Sequence, residues 1–220
     1  METDLQREAA DMNVITISRE FGSGGRELGK RMSDLLGWDY YDREIIARIA
    51  DEQGLDIGFV DKVLQQSVWR SMPITVQRSI SMPMYPTVGT TLLVKEKQII
   101  ERIGSFGKDC ILVGRNADVY LRDKDPFSIF VCASMDAKVE RCRERATSEE
   151  HLTDKELVRN IKRIDKGRAS IREFIGGGEW GNPLNYHLTV NTTGWEIKRL
   201  VPVVAGFAEA WFARNEASKA

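Results

Sequence analysis

Val14-Ile15-Thr16-Ile17-Ser18-Arg19-Glu20-Phe21-Gly22-Ser23-Gly24-Gly25-Arg26-Glu27-Leu28-Gly29-Lys30 sets a β-branched run before a glycine-rich turn and follows the turn with an amphipathic pattern. A buried strand delivers such a loop, glycines let backbone approach an anion with no Cβ in the way, and the N–H groups of the new helix point at the charge. The segment predicts a phosphorylated ligand. It is not a regular Walker A loop, in which the second glycine is followed by lysine and then a hydroxyl residue. Here Arg26 follows Gly25, and Glu27 follows Arg26. A dinucleotide fingerprint would need glycine at Glu27, and a nucleophile elbow would need glycine at Phe21. Phosphate binding without a dinucleotide remains, beside the plainer reading of a tight turn before a packed helix.

The 220 residues suffice for one domain with a small insertion. Apolar residues make up 42% and charged residues 30%, and 32 basic against 33 acidic side chains leave a net charge of −1, so no overall field recruits nucleic acid or an acidic membrane. Cys110, Cys132 and Cys142 are spaced too irregularly for zinc or a redox pair, which predicts reduced thiols and a cytoplasmic protein. Glu2, Asp4, Arg7, Glu8 and Asp11 break up the first twelve residues, and no apolar run approaches spanning length, so neither a signal peptide nor a membrane anchor is predicted.

Outward from the loop, short apolar strands are predicted at Val14–Ser18, Trp38–Tyr41, Cys110–Val113, Ser128–Cys132 and Tyr186–Val190, with helical patterns between them. Leu28, Met32, Leu35 and Leu36 mark one helix; Ile45, Ile46, Ile49 and Ala50, behind Asp42 as N-cap, mark the next. Further helices are predicted near Val94–Ile103, Asp136–Ala146 and Trp195–Ala213, the last with Pro202 in its first turns or at a kink. Alternation of this kind predicts a parallel sheet covered by helices. Ser71–Leu92, rich in Met and Pro, reads either as a surface loop or as a substrate-covering or dimer-contact segment.

Two more segments carry chemistry. Ile111-Leu112-Val113-Gly114-Arg115-Asn116 ends an apolar strand in glycine and arginine, and ligands of open α/β sheets sit at such strand ends. The Arg115 fork suits a phosphate, and a structural salt bridge to Asp118 is its alternative. Ile161–Arg172 holds five cations against one acid, with Asp165, Arg168 and Arg172 on one helical face. Solvation explains such a face, as does closure of cations over a transferring phosphoryl group. His151 and His187 are too few and too far apart for a metal site, and both read as structural.

The chain resembles the cytidylate kinase-like family, relatives of bacterial cytidylate kinases among the P-loop nucleoside monophosphate kinases, from about Val14 to Trp211. The resemblance rests on Ile17–Arg26, Tyr41-Asp42-Arg43-Glu44, Val113–Asp118, and Ile164–Ala169 running on to Trp180–Tyr186. It implies an α/β P-loop kinase fold: a five-stranded parallel sheet of order 2-3-1-4-5 flanked by helices. The domain would span 13–215 behind a tail at 1–12, with an acceptor-binding insertion at 43–93 and a short helical lid within 147–182. Carried over residue by residue, Gly22, Ser23, Gly24, Gly25, Arg26 and Glu27 would hold the phosphates of ATP, delivered with Mg2+. Asp42, Arg48, Arg115 and Asn116 would hold the acceptor. Arg26, Arg141, Arg163, Asp165, Arg168 and Arg172 would serve the transferring phosphoryl.

Departures from the family pattern bear on activity. Gly25 occupies the Walker lysine position, and Glu27 replaces a hydroxyl that ligates magnesium. Asp42-Arg43-Glu44 replaces Asp-Ser/Thr-Gly, and Asn116 replaces the aspartate after Arg115. Three readings follow: a phosphotransferase acting on a nucleoside monophosphate or similar acceptor, a non-catalytic nucleotide-binding sensor or partner protein, and a scaffold that binds no nucleotide. A homodimer is compatible with each.

Overall fold

The computed structural model describes residues 12–42, 46, 90–146 and 152–219. Along them run β1 (Val14–Arg19), α1 (Gly25–Leu36), β2 (Asp39–Tyr41), α2 (Thr90–Ile103), β3 (Cys110–Val113), α3 (Ala117–Tyr120), β4 (Phe127–Cys132), α4 (Met135–Glu144), α5 (Asp154–Phe174), β5 (Leu188–Asn191) and α6 (Ile197–Lys219). The strands form one parallel sheet in the order β2-β3-β1-β4-β5, as the family resemblance implies. β1 is central, with Val14 beside Cys110 on one edge and Ile15 beside Phe127 on the other.

Strands covered on both faces read as continuous apolar runs, and β3 is buried throughout. β1 is buried as far as Ser18; its last residue, Arg19, is half-buried. Ile15, Ile17, Ile111, Leu112 and Ile129 meet Leu28 and Met32 of α1, Ile99, Ile100 and Ile103 of α2, and Val201 and Val204 of α6 in one core. Each such side chain contributes about 1.5–3 kcal/mol by leaving water. Because β3 lies on one side of β1 and β4 on the other, the chain reverses direction across the sheet there, and the crevice for a ligand opens where β1 ends.

Local signals explain the helix starts. Ser134 accepts from Ala137 N–H at 3.3 Å to cap α4. Thr153 and Glu156 form a reciprocal capping box on α5, with Thr153 N–H donating to Glu156 Oε2 at 2.8 Å. β5 starts at Leu188, two residues after the expected Tyr186, because Asn182 caps a short 3-10 turn at Pro183–Asn185 and Tyr186 N–H donates back to Pro183 O. α6 accommodates Pro202 in its second turn. Ile46 is helical and buried, and its N–H donates to Asp42 O at 2.9 Å. The rest of the helix expected at 45–50, residues 71–89 of the Met- and Pro-rich segment, Arg48 and His151 lie outside the described residues. Among the described residues no helix is long and apolar enough to cross a membrane.

His187 packs between Phe127 and Trp211, and its Nδ1 accepts from Ser128 N–H at 3.0 Å. Burial, joined by Arg214 and opposed by Asp125, lowers its pKa. Unfolded histidine titrates near about 6.5, so the stability that neutral His187 confers is complete above that pH and is lost as pH falls through it toward the lower folded value. The melting temperature should drop from pH 7.5 to pH 5 more steeply in the wild type than in His187→Asn, whose amide oxygen also accepts. Equal slopes in a pH series of melting curves would remove His187 as the cause.

Candidate functional site

Arg19, Glu20 and Phe21 leave the end of β1, and the chain turns through Gly22, Ser23 and Gly24 into α1. Gly24 makes the turn possible: its φ is 83°, and a Cβ there would lie 2.4 Å from Ile197 Cδ1. It is also the N-cap of α1, and no side chain caps that helix start. The positive end of the helix dipole is therefore available to an anion.

The loop is fastened by groups distant in sequence. Phe21 N–H donates to Asp165 Oδ1 at 2.7 Å, and Arg168 donates to the same oxygen at 3.2 Å and to Arg19 O at 2.9 Å. Lys138 of α4 donates to Glu20 Oε2 at 3.0 Å and stands 3.7 Å from Asp165 Oδ2, while Ala133 N–H donates to Glu20 Oε2 at 3.1 Å. Thr192, just after β5, donates from Oγ1 to Ser23 O at 2.7 Å, and Ser23 Oγ donates to Glu20 O at 2.9 Å. Arg141 donates to Thr192 Oγ1 at 3.0 Å and reaches Gly22 O at 3.5 Å. Burial raises the Asp165 pKa against the opposing pull of Arg168, Phe21 N–H and Lys138, and burial lowers that of Arg141.

A second wall is built at the ends of β2 and β3. Arg26 Nε donates to Asp42 Oδ2 at 2.7 Å, and Tyr40 Oη stands 3.3 Å from the same oxygen. Burial, with Asp42 beside it, pushes the Tyr40 pKa up, which keeps the phenol a proton donor. Gly114, Arg115 and Asn116 follow β3 with φ of 83°, 61° and 54°. Left-handed backbone costs a non-glycine residue about 1–2 kcal/mol, and such strain gathers at ligand sites. Arg115 pairs with buried Glu96 of α2 at 2.6 Å instead of with Asp118. Asp118 is taken by Arg172, which is buried, lies 2.8 Å from it and stacks over the Tyr186 ring.

Thus the structure gathers Gly22, Ser23, Gly24, Gly25, Arg26 and Glu27 with Arg141, Asp165 and Arg168 around one strand end, and Asp42, Arg115 and Asn116 at the ends of the neighbouring strands. Arg163 is exposed and, two residues from Asp165, faces away from it. Among the described residues no group of three His, Cys, Asp or Glu side chains is placed to hold a metal.

The family model described as the cytidylate kinase-like family matches residues 14–194. The chain belongs to the cytidylate kinase-like family. No curated protein sequence matches it. Solved structures share the fold at low identity. An uncharacterized protein from Eubacterium ventriosum is 19% identical with a TM-score of 0.66, covering 90% of this chain and 99% of its own. The shikimate kinase of Bacteroides thetaiotaomicron is 13% identical with a TM-score of 0.52, covering 90% and 99%. A gluconokinase from Sinorhizobium meliloti is 14% identical with a TM-score of 0.50, covering 96% and 98%.

In this member of the cytidylate kinase-like family, Glu27 does not confront the loop as a bare carboxylate: it pairs with Arg145 and, at 2.8 Å, with Arg31. Glu20, Lys138, Thr192 and Arg19 complete the site and were not among the residues expected from sequence. Arg19 carried the one available signal, a cation closing an otherwise uncharged central strand.

Proposed function

We propose that the chain transfers the γ-phosphoryl group of ATP to a nucleoside monophosphate or a similar small acceptor. What carries the reading is the convergence of arginines on an uncapped helix start. Arg168 of α5, which donates to Arg19 O, and Arg115 beyond β3 both lie close enough to the Arg19 guanidinium of β1 to act on it as like charges. Phosphoryl transfer asks a protein to align two anions and neutralise them, and needs no side-chain nucleophile.

On this reading the loop from Gly22 to Glu27 and the start of α1 hold the ATP phosphates. Magnesium supplies charge neutralisation and arrives on the nucleotide. Arg31 and Arg145 neutralise Glu27, so its carboxylate does not oppose the polyphosphate. Asp42, oriented by Arg26 and Tyr40, holds the acceptor together with Arg115 and Asn116, and Arg48 of the proposed 43–93 insertion is assigned to the same acceptor by the family resemblance. Asp165 and Arg168 lie within a lid spanning 147–182. Arg141 and Arg172 serve by holding the loop and α5 in place.

A second reading, a binder that does not turn ATP over, is favoured by glycine at position 25. Incubation with ATP, Mg2+ and a panel of nucleoside monophosphates, with products resolved by ion-exchange chromatography, separates the two. A diphosphate product supports the kinase, and saturable ATP binding without product supports the binder. The double variant Glu96→Gln/Arg115→Ala, which leaves no buried carboxylate unpaired, should lower kcat/KM for the acceptor about 100-fold, while ATP affinity stays within about threefold. Equal loss of both would move Arg115 to the ATP side.

A further inference from the structure

At position 25, where a Walker loop carries its phosphate-binding lysine, no side chain has room. A Cβ on Gly25 would lie 2.6 Å from Arg19 Cβ, 3.1 Å from Arg19 Cγ and 3.2 Å from Val131 Cβ. The space is occupied by the stem of another cation. Arg19 crosses Gly25 and brings its guanidinium to the end of β3, where a Cβ on Gly114 would lie 1.7 Å from Nη1 and 2.6 Å from Cζ. Gly114 thus keeps open the path by which Arg19 reaches across from β1.

The guanidinium makes no ion pair or hydrogen bond among the described residues; Asp42 and Tyr40 offset its charge only from a distance. Asp42, whose charge reaches it, is engaged by Arg26, while Glu96 and Asp165 are held by its cationic neighbours Arg115 and Arg168. Burial, followed by the like charges of Arg168 and Arg115, pulls its pKa well below the usual arginine value. Its N–H donors form a planar fork, the geometry that suits two phosphate oxygens, and none of them is hydrogen-bonded among the described residues.

Resting on the phosphotransfer reading above, we propose that Arg19 supplies from β1 the phosphate-gripping charge that the loop lacks at position 25, its guanidinium binding the terminal phosphoryl group between the glycine loop and the end of β3. The cation of this site therefore sits on a strand, not on the first turn of a helix.

The test uses the full-length wild type, Arg19→Met and Arg19→Lys, titrated calorimetrically with inorganic tripolyphosphate and with ATP, and melted without ligand. Arg19→Met should bind tripolyphosphate about 10- to 100-fold more weakly. It should also melt about 2–4 °C higher, because an unpaired charge has been removed from the interior. Arg19→Lys, which keeps the charge and loses the fork, should recover part of the affinity. Undiminished tripolyphosphate binding by Arg19→Met overturns the assignment. So does a lower melting temperature in both variants with their affinities unchanged, the result of a purely structural role. Tripolyphosphate binding that depends on Arg19, without any product from ATP, supports the Arg19 site and overturns the kinase. A wild type that binds neither ligand overturns both.

Discussion

Gly25→Lys, which writes the usual phosphate-loop lysine back into the chain, is expected to lower the melting temperature by about 3–10 °C and weaken ATP binding about tenfold or more. The new Cβ would enter space already held by Arg19 Cβ at 2.6 Å and Val131 Cβ at 3.2 Å. Val131 belongs to β4 and cannot retreat without disturbing its pairing with Arg19 in the sheet. Arg19 would have to swing away, but its guanidinium is lodged against Gly114. The damage should be reversible by a second change: in Gly25→Lys/Arg19→Gly the obstructing Cβ and the stem beyond it are both gone, and the melting temperature should return to within about 2 °C of Arg19→Gly alone. Differential scanning calorimetry of the four proteins closes the cycle. A single Gly25→Lys variant that melts normally and binds ATP more tightly would show that position 25 is open.

Asp165→Ala should cost about 3–5 kcal/mol of stability, a loss read from urea unfolding. One carboxylate serves Phe21 N–H at 2.7 Å, Arg168 at 3.2 Å and Lys138 at 3.7 Å, and its removal leaves Phe21 N–H without that acceptor and takes a countercharge from both cations. Lys138 keeps Glu20, and Arg168 keeps Arg19 O, so the loop should loosen at Phe21 first. Asp165→Asn is expected to lose only about 1–2 kcal/mol, because its amide oxygen still accepts from Phe21. If Asn and Ala were equally destabilising, the charge and not the hydrogen bond to the loop would be the stabilising element.

Much of this was legible in the chain because it depends on local order. The strand, glycine turn and helix from Val14 to Leu36 are contiguous, so periodicity and turn chemistry name them. The site was less legible because its decisive contacts join residues far apart. Arg115 had Asp118 close by in sequence and pairs instead with Glu96 on α2, leaving Asp118 to Arg172. Glu27 looked hostile to phosphate until Arg145 appeared beside it. Arg19 was hidden differently. It stood inside the most conspicuous motif, yet only the packing of its stem over Gly25 shows why that glycine is there.

α5 is tied along its whole length. Arg143 holds Asp154 at its start, and Leu157 and Ile161 pack with Cys142 of α4. Asp165 and Arg168 grip the phosphate loop, and Arg172 is anchored to Asp118 near its end. A helix of 21 residues spans about 30 Å, so these attachments make α5 a strut joining α4 to α3 across the mouth of the sheet. A strut fixes the separation of what it joins: the seat of the phosphate loop, gripped between the two anchorages by Asp165 and Arg168, is set jointly by α4 and by α3 beside the turn that follows β3.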